Sequence, residues 1–390
     1  MNAHSIVVIG GGLAGSTVAH ELTTSGADID VVIIDEDPDG PYDRPPLTKR
    51  LLDPDFDPAG SPGWAAAGVT WVHDRVTDVD PRTLVVRLES GARLAPEAVV
   101  IATGGRPRSQ SADLWGFSVL RTAADATWLR EQISSKDKPH VLIEGAGPLG
   151  CEVASTLVRL GAKVTLVEAD RLPMRRLLGP ELGAQIAAWA LAAGVDLRLE
   201  CHITSASRGP RGGFEVTLSD ESTLAVDVAL SAIGMIPTTD LVAGWGAADG
   251  RGIHCDARGH ILSIEATPYP NLYAVGDVAA RPDPETDAMV HHESWTSASE
   301  QGAAVAAEIL GRAEPATGRP YFWTEVFGRR IQVLGRVPMD PEPPEQLASY
   351  PERHGGMFRF DDASGEPAAW VAINAPRDFA AILRSEQAMT

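Results

Sequence analysis

Two glycine clusters have the spacing that lets a backbone hold phosphate. Gly10-Gly11-Gly12-Leu13-Ala14-Gly15 lies near the N-terminus, and Gly145-Ala146-Gly147-Pro148-Leu149-Gly150 lies 135 residues later. In a G-x-G-x-x-G turn the first glycine permits the sharp bend and the second lets the backbone approach a pyrophosphate. The third lets the following helix pack close on the strand, so that the helix N-terminus faces the phosphates. After each cluster a second apolar run ends in an acid placed to accept a ribose 2′-hydroxyl, Asp35 (with Glu36 beside it) and Glu168. One such turn is weak evidence, because glycine-rich turns are common. Two in matching context indicate two dinucleotides on one chain, and electron traffic between them is the chemistry that needs both.

The elements that must position these residues can be read from the apolar runs around them. Strand-like runs over 5–9 and 141–143 lead into the turns, helical patterns over 14–24 and 149–160 follow, and strands over 29–34 and 164–167 carry the acids. A Pro-rich loop from Asp37 to Pro46 excludes helix until about Leu47. Further strands are expected over 69–72, 84–88, 98–102, 214–218, 226–232 and 272–275, those over 214–218 and 226–232 completing the second unit. Helices are expected over 182–193 and 300–310, and a small antiparallel sheet between 331 and 373. Two of these strands end in small residues, Ala102-Thr103-Gly104 and Val275-Gly276-Asp277, at the position where open α/β sheets bind ligands. Asp277 there could accept hydrogen bonds from a polyol such as a ribitol, or simply make a turn.

Composition narrows the class. The 390 residues include 44% hydrophobic ones, with no run of about 18 apolar residues, so no membrane span is expected. A strand begins at Ser5 with no basic stretch or cleavage site before it, and three scattered cysteines, Cys151, Cys201 and Cys255, form no CxxC. A cytoplasmic protein is therefore expected, without a disulfide framework. The net charge of −20 argues against nucleic acid as a partner. An acidic electron carrier would need a local basic patch, and Arg329-Arg330, with Arg312, Arg319 and Arg336, is the candidate. His291-His292 has no partner at metal-ligand spacing, so no metal is expected.

The order GGGLAG, PYDRPPLTK, ATG, GAGPLGCE, VTLVE, AIGMIP, YAVGD, ESW, FW resembles the FAD- and pyridine-nucleotide-dependent reductases that bind two dinucleotides. Within that group it is most similar to the NADH-dependent ferredoxin reductases that feed aromatic-ring dioxygenases and bacterial haem monooxygenases. The similarity runs over essentially the whole chain, and its most specific part is Pro41-Tyr42-Asp43-Arg44-Pro45-Pro46-Leu47-Thr48-Lys49. It implies an α/β fold with two Rossmann-like dinucleotide-binding domains and a small C-terminal α+β domain. The FAD domain would span 1–107 and 235–312, the NAD(H) domain 108–234, and the C-terminal domain 313–390.

The resemblance also assigns roles. The first turn would bind the FAD pyrophosphate, and Arg44 and Lys49 would lie near the flavin. Lys49, paired with Glu152, would stabilise the negative charge of the reduced ring. Glu293-Ser294-Trp295 matches an E-x-W element beside the flavin and nicotinamide, and Phe322-Trp323 matches the aromatic pair opening the C-terminal domain. Core packing is the alternative for both tryptophans. Glu168 would favour NADH by repelling a 2′-phosphate, although Arg171 three residues on leaves NADPH open. Thr48 stands where serine is usual, and Thr324-Glu325-Val326 replaces Ser-Asp-Gln near the acceptor side, which leaves the acceptor the open part.

The expected activity is hydride transfer from NADH to FAD, then single electrons to a ferredoxin-type iron–sulfur protein, in a monomer or homodimer. Two rivals are a same-fold enzyme acting directly on an organic substrate and an NADH-sensing interaction module. The loop 44–49 holds no redox cysteine, which excludes disulfide-reductase and peroxidase chemistry there.

Overall fold

The computed structural model describes residues 4–50, 56–57, 68–108, 110–210, 212–283, 288–312, 318–339 and 341–387. They form two compact units, each assembled from three stretches of chain. The first comprises Met1–Asp43, Ala59–Arg106 and Met235–Thr317, and the second Arg44–Pro58, Pro107–Gly234 and Gly318–Thr390. Two stretches are distributed differently from the three-part expectation. Residues 44–58 group with the second unit, and the C-terminal stretch packs in the same unit as 107–234. The expected boundary at residue 313 lies outside the described residues.

In the first unit, Ser5–Ile9 is buried along its whole length, because both faces of its sheet are covered. Ile6 and Val8 pack with Val18 and Leu22 of the helix Leu13–Thr24 and with Val305 of the helix Trp295–Ile309. Val7 and Ile9 pack on the opposite side with Val79, Val86 and Ile253. The sheet order is His260–Leu262, Pro268–Ala274, Ala98–Ile101, Ser5–Ile9, Asp30–Asp35, Thr70–His73. All neighbours are parallel except the first pair. The two helices lie close because Gly302 has no side chain. A Cβ there would come within 2.7 Å of the Ala14 carbonyl oxygen and 2.9 Å of Thr17 Cβ.

The second unit repeats the theme with a four-stranded parallel sheet, ordered Asp196–Arg198, Lys163–Val167, His140–Glu144, Val228–Ser231. Two expectations are corrected here. Phe214–Leu218 does not complete this sheet. It is the middle of a separate antiparallel sheet with Ile203–Arg208 and Thr223–Val226. The run 226–232 is two strands, broken at Asp227, whose carboxylate accepts the His140 N–H at 2.7 Å and pairs with Lys136 Nζ at 2.7 Å. The C-terminal stretch forms a five-stranded antiparallel sheet, from Tyr321–Val326 to Pro367–Ile373, with the helix Pro376–Gln387 laid against it through Phe379. No helix among the described residues is long and apolar enough to cross a membrane.

If the Gly302 contact sets the seating of the first nucleotide helix, Gly302→Ala should lower the unfolding free energy by about 1–3 kcal/mol, the usual cost of overpacking. Urea denaturation reads this, and an unchanged midpoint would show that the two helices separate freely.

Candidate functional site

The two glycine turns have the same geometry. Gly10 has φ +103° and Gly145 φ +99°, values that L side chains rarely adopt. A Cβ on Gly10 would land on the Ala102 carbonyl, and one on Gly145 on the Ala232 carbonyl. A Cβ on Gly15 would overlap the Gly10 carbonyl oxygen, just as one on Gly150 would overlap that of Gly145. Each helix therefore rests directly on its own turn. Gly12 and Gly147 are the N-caps, and neither helix start receives a side-chain cap. The first-turn N–H groups, those of Leu13 and Ala14 in the first helix and that of Leu149 in the second, where Pro148 has none, are left for an anion, with the helix dipole favouring it. Around Gly147 the position of a Cβ is open space. These are the features a pyrophosphate requires.

The acids are tied to the turns in the same way. Asp35 Oδ2 accepts the Gly11 N–H at 2.5 Å and Oδ1 the Asp37 N–H at 2.9 Å. Glu168 Oε2 accepts the Ala146 N–H at 2.6 Å and Oε1 the Asp170 N–H at 2.8 Å. Each carboxylate keeps lone pairs for a ribose hydroxyl. Glu36 turns outward and pairs with Arg75 at 2.8 Å on the surface. Near Glu168 the basic side chains are partly engaged. Asp170 takes the Arg175 Nε–H on both oxygens, at 2.8 and 3.0 Å, and this bond holds the Asp170 carboxyl below the usual range. Arg171 donates its own N–H to the same carboxylate, and its side chain is exposed.

Of the other expected residues, Gly276 lies at the first turn. Gly276 (φ +77°) lies against Ala14, where a Cβ would come within 2.8 Å of the Ala14 Cβ, and donates its N–H to Gln301 Oε1 at 2.9 Å. Asp277 follows in the single helical turn Gly276–Val278. The Thr103 hydroxyl donates to the Thr238 carbonyl at 2.8 Å, and the Gly104 carbonyl accepts the Thr238 N–H at 2.9 Å. Ser294 caps the helix that starts at Trp295, five residues before the expected start at 300, and Glu293 pairs with His291 at 3.2 Å. Trp295 is not core packing. It is 40% exposed, and its indole N–H donates to Asp43 at 2.8 Å.

In the second unit a carboxylate network that sequence reading saw only in part surrounds Glu152, which is 7% exposed. Lys49 Nζ lies 2.9 Å from Oε1, the Thr48 hydroxyl donates to Oε2 at 2.6 Å, and the Thr324 hydroxyl donates to Oε1 at 2.6 Å. Thr156 closes the arrangement by donating to the Thr48 carbonyl at 2.9 Å. Lys49 Nζ also sits 4.5 Å from the centre of the Trp323 ring, and the Arg330 guanidinium lies 5.2 Å from it. Thr48 and Thr324, read from sequence only as departures from a pattern, are thus the two hydroxyl partners of one buried carboxylate. The signal available was that both departures keep a hydroxyl or replace one with another. Arg44 Nε is buried and has no hydrogen-bond partner among the described residues.

All three cysteines are buried and unpaired. Burial, reinforced by Glu168 and Glu152, pushes the Cys151 thiol far above its ordinary range, so it stays protonated. No cluster of His, Cys, Asp and Glu among the described residues could hold a metal ion. Of the arginines proposed as a basic patch, Arg319 is paired with Glu386 at 3.0 Å, while Arg312 is exposed and donates to the Ser25 carbonyl.

Thr324→Val keeps the shape but removes one donor from a buried carboxylate. It should cost about 1–3 kcal/mol of stability, read by urea denaturation, whereas Thr324→Ser should cost much less. Equal effects of the two would show that the hydroxyl is not what Glu152 needs.

The model of the pyridine nucleotide-disulphide oxidoreductase family matches residues 4–302. The ferredoxin–NAD(+) reductase subunit of a benzene 1,2-dioxygenase system from Pseudomonas putida is 33% identical, over 97% of this chain and 91% of that protein. The ferredoxin–NAD(+) reductase component of a biphenyl dioxygenase system from Paraburkholderia xenovorans (strain LB400) is 32% identical, over 97% and 92%. The solved structure of the ferredoxin reductase for the CYP199A2 system from Rhodopseudomonas palustris is 27% identical and superposes with a TM-score of 0.85, over 95% of this chain and 91% of that one. With its two glycine turns built alike and these matches over most of its length, this chain belongs to the pyridine nucleotide-disulphide oxidoreductase family.

Proposed function

We propose that this protein is an NADH-dependent ferredoxin reductase, the flavoprotein that feeds electrons to an oxygenase system. The observation that carries the reading is the pair of equivalent turn-and-acid sites, one in each unit. It is joined by the match, over nearly the full length, to ferredoxin–NAD(+) reductase components. FAD, when bound, supplies acceptance of a hydride and release of electrons one at a time, the step a two-electron donor and a one-electron iron–sulfur acceptor require. We assign FAD to residues 1–107 and 235–312, and NADH to residues 108–234.

The residues divide the work accordingly. The Gly10–Gly15 turn holds the FAD pyrophosphate on backbone N–H groups, and Asp35 takes a ribose hydroxyl. Gly104, Gly276 and Asp277 line the small-residue ends of neighbouring strands, where Asp277 accepts from the ribitol chain. The Gly145–Gly150 turn does the same for the NADH pyrophosphate, and Glu168 takes the adenosine 2′-hydroxyl while rejecting a phosphate there. Asp170 holds Arg175, whereas the exposed Arg171 side chain is the cation that keeps NADPH open as a second donor. Lys49 supplies the positive charge that compensates a reduced flavin, and Glu152 fixes that ammonium. Trp295 and Trp323 are assigned to the rings. No side chain needs to donate or remove a proton in the hydride step. Three unpaired cysteines fit a reducing cytoplasm, and a monomer or homodimer is expected.

A direct organic substrate loses its main motive. Thr324, whose unusual identity suggested it, is wholly buried and committed to Glu152, and Glu325 faces Arg330 at 4.0 Å.

The purified protein should be yellow, bleach on anaerobic addition of NADH, and recover its colour rapidly in stopped flow only when a two-iron ferredoxin is added. Recovery that no ferredoxin accelerates would sink the reductase reading, and a colourless protein that fails to bind added FAD would remove its basis. Glu168→Ala should raise the ratio of kcat/KM for NADPH over NADH by about ten-fold or more, since it removes both an acceptor for the hydroxyl and a charge that repels the phosphate.

A further inference from the structure

Trp71 belongs to the outer strand Thr70–His73 of the first unit's sheet, in register with Ile33, two residues before Asp35. It is 37% exposed, large and apolar. Its six-membered ring lies against Gly11: a Cβ there would come within 2.5 Å of Trp71 Cζ3, 2.6 Å of Cη2 and 2.8 Å of Asp35 Oδ2. An aromatic face, a carboxylate and a phosphate-binding turn therefore converge on one residue. This also accounts for the third glycine of Gly10-Gly11-Gly12, which the G-x-G-x-x-G rule does not require. The second turn is built otherwise at this point. It has a buried alanine, Ala146, and the strand position matching Trp71 is Leu197, in register with Leu166, two residues before Glu168.

We infer that Trp71 is the stacking platform for the adenine of the dinucleotide held at the first turn. The inference rests on the reading of that turn as the FAD site. Asp35 binds the ribose, which places the base one sugar away from the turn. Trp71 lies against Gly11 next to that carboxylate's place on the turn and leaves part of its ring open. Every base has a π-face, and stacking on an exposed aromatic is the interaction that such a ring can offer. Asp35 then fixes the sugar and Trp71 the base, two contacts from neighbouring strands beside one glycine of the turn.

The test uses the full chain stripped of flavin and titrated with FAD by quenching of flavin fluorescence. Trp71→Leu and Trp71→Ala should each weaken FAD binding about ten-fold or more, and Trp71→Phe should stay within about three-fold of the unaltered protein. NAD+ affinity should be the same in all, which reports that each variant is folded. Trp71→Leu binding FAD like the unaltered protein, or Trp71→Phe binding it as weakly as Trp71→Leu, would overturn the platform while leaving the FAD site standing. An unaltered protein that binds no FAD would overturn both readings together.

Discussion

Both glycine turns depend on a helix coming to rest on a carbonyl oxygen with no Cβ between them. At Gly15 and at Gly150 the missing side chain lets the helix settle onto the carbonyl of the turn's own first glycine. With the helix seated there, its first N–H groups emerge beside the turn, so that the helix dipole and the turn backbone address the same space. The acid at the end of the next strand then ties itself to the turn by accepting a backbone N–H. Strand, turn, helix and second strand become one rigid piece before any ligand arrives. The construction is repeated with different surroundings. The first copy is Gly-rich to fit an indole, and the second carries a buried alanine and a proline at the helix start.

Rigidity in the second unit is extended by Glu152, two residues past Gly150 on the same helix. A carboxylate taken out of water is costly unless its oxygens are met by donors. Here Lys49, Thr48 and Thr324 meet them. The three donors come from a Pro-rich segment and from a strand of the C-terminal sheet, so one carboxylate holds together stretches of chain far apart in sequence. The helix that presents the second nucleotide turn thereby also fixes the position of the Lys49 ammonium. A change at this end of the helix reaches the glycine turn and the Lys49 ammonium together.

What was legible in the sequence was what short-range sterics dictate. Gly15 and Gly150 are set by clashes with the carbonyls five residues before them, Gly10 and Gly145 by the positive φ of their own turns, and the buried strands show as unbroken apolar runs because their sheets are covered on both faces. What was illegible depended on partners far along the chain. Nothing near Thr324 announces Glu152, and nothing near Trp71 announces Gly11. The run 226–232 looks like one strand because every residue but Asp227 and Ser231 is apolar, and the break depends on Lys136 and the His140 N–H. The helix at Trp295 was placed late because its first turn, Trp-Thr-Ser, lacks good helix formers, and its start is set by the Ser294 cap instead.

The threading of the chain has a consequence for how the protein is made. The strand Pro268–Ala274 sits in the middle of the first unit's sheet, beside Ala98–Ile101, yet the parallel sheet of the second unit is complete in sequence by Ser231. On the ribosome the later unit's nucleotide sheet can close while the earlier one still lacks an inner strand. At about 5–20 residues per second, that vacancy lasts on the order of ten seconds or more. For that interval Ala98–Ile101 has one ladder edge unpaired, a short apolar edge of the kind that recruits foreign strands. The order of synthesis, rather than the stability of the finished protein, is therefore where this architecture is most exposed to misassembly.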